Sequence, residues 1–219
     1  MASTPDSEAL PFAAELQRKA LHLLALVVPL FMHLAGKTTA ALVLVPAAAL
    51  ALGADVFRVR HAGFSHFIDH VFGFMMRDAE RPRVGDPVSV NGASWVLASA
   101  ALLTVVFPVH LAAPAFAAFM LADAVAAVVG RRLGRLHWGN TSRTVEGSVG
   151  FLAAGVVVLA LLIDLPLWAL ATSAAVGAAA EAAPRPLNDN LRVPFAMAAA
   201  LFLLGRYALG HPVALFWFE

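Results

Sequence analysis

The stretch Pro114–Gly134, PAFAAFMLADAVAAVVGRRLG, decides how this chain is read. From Pro114 to Val129 its one charged side chain is Asp123, set among Ala, Val, Phe, Met and Leu. Beyond Val129 the apolar run stops on Gly130-Arg131-Arg132-Leu133-Gly134, the basic border of a membrane helix. A carboxylate within such a helix costs roughly 2.5–3.5 kcal/mol on insertion scales. Asp123 therefore calls for a salt-bridge partner, a cation or a water-filled recess.

The rest of the chain agrees with that reading. Of its 219 residues 61% are hydrophobic and 13% charged, too apolar for a soluble domain of this size. With no cysteine there is no disulfide framework and no thiolate metal site. A net charge of +1 supplies no global electrostatic argument, and nothing in the charge pattern calls for nucleic acid. Residues 1–13 read as a polar tail and not as a cleaved signal, because no apolar core with a small-residue cleavage site precedes the first span.

Apolar runs predict an all-α, polytopic membrane helix bundle in a single domain spanning residues 1–219, with about seven transmembrane helices. The expected spans are Ala20–Ala35, Thr38–Ala54, Ala93–Ala113, Pro114–Val129, Ser148–Ile163, Leu165–Ala180 and Val193 to about Leu209. Between the second and third, Phe64, Phe67, Ile68, Val71, Phe72 and Met75 recur at helical spacing around Ser65, His66, Asp69 and His70, which predicts one interfacial amphipathic helix. If the N-terminus faces the cytoplasm, every Lys and Arg except Lys37 and Arg206 falls on the inner side. This predicts a cytoplasmic-membrane protein with its C-terminus outside.

Topology then gathers the polar residues. Glu15, Arg18, Lys19 and His22 share one face of the entry helix, at i, i+3, i+4 and i+7. Asp55 and Arg58, Arg77 and Glu80, Asp123 to Ser148, Glu181, and Asn188-Asp189-Asn190 all come to the same membrane face. The outer loops are short and carry little charge. Gly130 and Gly134 permit a close backbone approach, and Arg131, Arg132, Arg135 and Arg143 offer planar forks to phosphate. Thr144 and Ser148 bring hydroxyls to the start of a helix, where free N–H groups favour an anion. Glu146 would repel bare phosphate and suits a divalent cation, a ribose or an arginine. Gly36-Lys37-Thr38 lacks the spacing of a nucleotide loop, and His66 with His70 makes a poor metal pair on an interfacial helix.

These residues resemble the CTP-dependent polyprenol kinases, the family of dolichol kinase, phytol kinase and CTP-dependent diacylglycerol kinase. Glu15-Leu-Gln-Arg18-Lys19-Ala-Leu-His22 is similar to that family's E-x-x-R-K-x-x-H. Asp123 to Gly134 is similar to D-x-x-A-x-x-x-G-R-x-x-G. Arg143-Thr144-Val145-Glu146-Gly147-Ser148 is similar to K-T-x-E-G-S, and Asp189-Asn190-Leu-Arg-Val-Pro194 to D-N-L-x-x-P. Arg143 departs from the usual lysine, and on the resemblance Arg143→Lys should keep most activity.

The resemblance implies transfer of the γ-phosphoryl group of CTP, with Mg²⁺, to the primary hydroxyl of a membrane lipid alcohol, with no protein partner called for. It implies catalytic roles for Asp123, His22, Lys19, Arg18 and Glu15. Nucleotide binding would fall to Gly130, Arg131, Gly134, Arg143, Thr144, Glu146, Gly147, Ser148, Asn188 and Asn190, and metal binding to Asp123, Glu146 and Asp189. Two other readings remain open. One is a cytidylyltransferase of the CDP-diacylglycerol synthase type, whose C-terminal acidic and Lys-Arg signature this chain lacks. The other is a small transporter coupling protons or cations through Asp123, against which stands the one-sided distribution of polar groups.

Overall fold

The computed structural model describes residues 23–73, 82, 84–139, 141–183 and 187–210. Their regular structure is helical: α1 Val27–Arg58, α2 Ala62–Phe72, α3 Gly92–Val106, α4 Val109–Leu133, α5 Val145–Leu162, α6 Leu167–Ala182 and α7 Asp189–Leu203, which runs on into a π-helical turn, Leu204–Ala208. Four stretches are long and apolar enough to cross a membrane: Val27–Arg58, Val109–Leu133, Val145–Leu162 and Asp189–Ala208. The apolar helices α3 and α6 are shorter. This is the make-up of an integral membrane protein.

Two expected span borders meet different outcomes. The break expected between Ala35 and Thr38 falls at Gly36, whose φ of 73° and ψ of 171° interrupt α1. That backbone conformation is open to glycine and strained for other residues. The border expected at Ala113–Pro114 is a correction. The chain leaves the helix at Phe107 and Pro108, and Pro114 lies inside α4. Proline keeps the residue before it out of the α region, so Phe107 is extended (φ −106°, ψ 157°) and Pro108 starts the next helix. Pro114, one turn in, removes only one intrahelical hydrogen bond. The segment expected to lie at the interface forms the helix Ala62–Phe72, with Phe67 and Val71 exposed. Met75 lies outside the described residues.

Helix α4 is the axis of the bundle. It packs on α5, α7, α1 and α3, and it is the most buried of the candidate spans. Small residues let the helices approach, as expected where lipid offers no hydrophobic drive for association. A Cβ on Gly155 of α5 would lie 3.2 Å from the Ala174 Cβ, and one on Gly177 of α6 would lie 2.7 Å from the Met197 Sδ. The Ser173 hydroxyl donates to the Met197 carbonyl at 3.0 Å, which satisfies a buried polar group between α6 and α7.

Candidate functional site

Asp123, Gly130 and Gly134 stand at i, i+7 and i+11 and so share one face of α4. By helix rise, Asp123 sits about 10 Å deeper along the axis than Gly130, and its side chain is partly buried. The helix closes with the Gly134 N–H on the Gly130 carbonyl at 3.1 Å. The connection to α5 is a short hairpin. The Trp138 N–H donates to the Arg143 carbonyl at 2.9 Å, the Val145 N–H donates to the Leu136 carbonyl at 2.8 Å, and His137 faces Thr144 as an antiparallel bridge. Gly139 near the tip has φ 56°, the left-handed conformation such a tight reversal demands.

The hairpin returns Thr144 onto the end of α4. The Thr144 Oγ1 caps α5 by accepting the Gly147 N–H at 3.0 Å. A Cβ on Gly130 would lie 2.9 Å from that oxygen, and one on Gly134 would lie 2.6 Å from the Thr144 Cγ2. Gly147 completes the cleft, 3.4 Å from the Gly130 Cα by the same measure. The close approach expected at Gly130 and Gly134 is therefore made by the protein's own Thr144, which is buried between them. Ser148 is likewise engaged, accepting the Trp138 indole N–H at 3.0 Å.

Arg143 faces the other helices. Its Nε lies 3.1 Å from the Glu181 Oε1, one terminal nitrogen donates to the Ala183 carbonyl at 3.3 Å, and the other pairs with the Asp189 carboxylate. Arg192 pairs with the second Asp189 oxygen and donates to the same Ala183 carbonyl at 2.9 Å. One guanidinium thus joins the hairpin to the end of α6 and the start of α7. A lysine ammonium, a point charge on a flexible stem, does not span acceptors arranged around a planar fork. That changes the expectation for Arg143→Lys.

The same polar end continues to α1 and α3. The Asp55 carboxylate accepts the Asn91 side-chain amide at 2.6 Å and its backbone N–H at 3.1 Å. The Asn190 amide donates to the Gly92 carbonyl at 3.4 Å, and Asn188 caps α7 through the Asn190 N–H at 2.9 Å. Asn188 and Asn190 thus serve the start of α7 and its joint with α3. Asp55, Glu181, Asp189 and the Asp123–Ser148 segment, expected at one face, are tied to one end of the bundle by these bonds and by α4. Glu15, Arg18, Lys19, His22, Arg77 and Glu80 lie outside the described residues.

Glu146 bonds within its own hairpin. Its Oε1 accepts the Arg135 N–H at 3.0 Å and the Leu136 N–H at 3.3 Å, and its Oε2 accepts the Leu136 N–H at 3.3 Å. It borders an apolar groove between the end of α4 and the start of α5, walled by Val129, Leu133, Leu136, Val145, Val149 and Ala153. Arg131, Arg132 and Arg135 are exposed on the adjoining chain.

Mg²⁺ fits these carboxylates poorly. Each Asp189 oxygen is taken by a guanidinium, and a divalent cation there would face two arginines. Glu146 is turned to the hairpin, and among the described residues no three acidic or histidine side chains cluster as a metal cage. Asp189 is therefore better described as the link between Arg143 and Arg192 than as the metal ligand expected of it.

Two residues went unrecognised as parts of the site. Asn91 carries the signature of a helix start, an Asn before an apolar run with its side chain accepting the Ser94 N–H at 3.0 Å. Arg192 stands three residues after Asp189, the spacing of a helical ion pair. Comparison with known proteins adds a relative but no activity. No protein-family profile and no solved structure matches the chain. It is 24% identical over 151 residues to Uncharacterized protein RP860 of Rickettsia prowazekii (strain Madrid E), an alignment covering 69% of this chain and 72% of that protein.

Proposed function

We propose that this protein is a lipid-alcohol kinase that uses CTP. The supporting observation is the arrangement around residues 123–148. A membrane carboxylate, Asp123, lies within α4, about two turns before the exposed Arg131, Arg132 and Arg135. Beside that cluster runs a groove of hydrocarbon side chains. A nucleotide arriving from water and an alcohol diffusing in the bilayer need such a border. The order of the four motif segments supports CTP as donor.

In this reading the alcohol oxygen attacks the γ-phosphorus, the bond to the β,γ-bridging oxygen breaks, and CDP leaves. The hydroxyl proton passes to a carboxylate, for which Asp123 is the candidate, with His22 the alternative. Arg131, Arg132 and Arg135 neutralise phosphate charge, because phosphoryl transfer asks chiefly for positioning and charge stabilisation. Arg143 positions the hairpin and does not itself hold phosphate. Mg²⁺ accompanies the triphosphate as its counter-ion. Apolar runs support seven spans, and charge asymmetry supports a cytoplasmic N-terminus and site and an outer C-terminus.

Membranes containing the protein, incubated with γ-labelled CTP and a panel of lipid alcohols, test this. Label in the lipid with release of CDP is the expected result. Pyrophosphate and a CDP-linked lipid would instead identify a cytidylyltransferase, and ion flux in proteoliposomes without either product would identify a transporter. Asp123→Asn should abolish transfer while leaving a folded, membrane-inserted protein. Wild-type turnover by that variant would remove Asp123 from the mechanism.

A further inference from the structure

From Arg131 to Trp138 every residue except Gly134 is exposed. The run alternates cation and hydrocarbon: Arg131, Arg132 and Arg135 stand among Leu133, Leu136 and Trp138, which are 64%, 63% and 44% exposed. It joins α4 to α5, and both helices are candidate membrane spans. A short connection between two spans stands where hydrocarbon gives way to water. The Trp138 indole N–H donates to Ser148 in the first turn of α5 at 3.0 Å, and the Val145 N–H donates to the Leu136 carbonyl at 2.8 Å. These bonds hold the run against the helix ends, and they leave an indole at the depth where tryptophan is enriched.

Charge selects what meets this surface. From Gly130 to Ser142 the sequence contains no acid. Glu146, just beyond, engages its carboxylate with the Arg135 and Leu136 N–H groups. Set against the three arginines, it still leaves two positive charges in excess. Guanidinium groups are weakly hydrated and fork onto phosphate oxygens. In the headgroup layer the phosphate esters are those of the bilayer itself. A zwitterionic headgroup brings its own ammonium and gains little, whereas a headgroup with net negative charge matches the arginines while its chains meet Leu133 and Leu136.

We propose that the α4–α5 hairpin binds an anionic phospholipid. Its phosphate is held by Arg131, Arg132 and Arg135, and its acyl chains lie against Leu133 and Leu136. The inference goes beyond the kinase reading and needs no nucleotide. That reading assigns the same arginines to phosphate charge of CTP, so bound phospholipid and CTP compete there.

Tryptophan quenching in vesicles tests this. The full chain carrying Trp95→Phe, Trp168→Phe and Trp217→Phe, in which Trp138 alone emits, is reconstituted in phosphatidylcholine vesicles. Increasing fractions of brominated phosphatidylglycerol are added in one series and of brominated phosphatidylcholine in the other. Half-quenching should need at least about fivefold less of the anionic lipid, the effect of a single guanidinium near an anionic surface. That preference should collapse in about 1 M salt, where the Debye length is ~3 Å. It should also be lost in the triple variant Arg131→Gln, Arg132→Gln, Arg135→Gln and be largely kept with lysine at the three positions. The salt series uses no arginine variant and so decides the matter even if the glutamine variant misfolds. Trp168 starts α6, at the end opposite the Glu181–Arg143 pair, and a chain in which it alone emits should show no preference. Equal quenching of Trp138 by the two lipids, an equal preference at Trp168, or a preference untouched by salt would overturn the proposal. CTP with Mg²⁺ on both sides of the membrane should lower the preference. No effect of CTP would leave the lipid surface standing and remove these arginines from the kinase reading.

Discussion

Arg143 and Glu146 are three residues apart and bind different partners at the bundle's polar end. Arg143 is held by Glu181, Ala183 and Asp189 from far along the chain, and each of its nitrogens has a protein partner. Glu146 accepts backbone N–H groups of its own hairpin and borders an open apolar groove. Between them Thr144 is wedged against Gly130, Gly134 and Gly147. A short run of residues thus contains a fastening between distant helices and a carboxylate bonded within its own hairpin. Charge in a sequence motif does not say which of these a residue is, since an arginine with its partners met binds little else.

The contrast breaks if the Arg143 side proves dispensable for the fold. Arg143→Ala should cost about 1.5–3 kcal/mol, the range for hydrogen bonds to charged groups, read as a lower thermal midpoint in detergent. Arg143→Lys should recover less than half of that loss. A fully stable lysine variant would show that charge alone holds the hairpin. Gly134→Ala should be nearly as damaging, about 1–3 kcal/mol by overpacking, because its Cβ would strike Thr144 and the Gly130 carbonyl. Thr144→Ala should cost about 1 kcal/mol through the lost cap, and Thr144→Ser should restore most of it. Least affected should be Glu146→Gln, with a thermal midpoint close to that of wild type, since its bonds are at the exposed surface. A large unfolding effect there would make Glu146 structural as well and erase the distinction.

Parts of this arrangement were legible beforehand. The apolar runs marked the helices, and Gly36 marked the interruption of α1. Two prolines six residues apart, Pro108 and Pro114, competed for the next border. Hydropathy does not separate them, because both lie in apolar surroundings. The outcome turned on Phe107 becoming extended, with Pro114 tolerated inside the following helix. The gathering of Asp55, Glu181 and Asp189 at one end was readable from charge asymmetry alone. In the sequence the glycines read as space for phosphate, yet Thr144 fills that space from within. No local pattern announces that Thr144, ten residues after Gly134, will fold back onto it.

By itself the sequence determined that this chain is helical, apolar enough for a membrane, and polar at one end. Those properties follow from transfer free energy and helical period, which belong to each segment separately. Only the tertiary structure decided that Arg143 meets Glu181 and Asp189 while Glu146 meets the groove. Which way a side chain points out of a turn depends on the helices packed around it, and those helices come from segments 38 and 46 residues away. The Asp123–Ser148 stretch thus carries its chemical groups in its sequence and receives their partners from the fold.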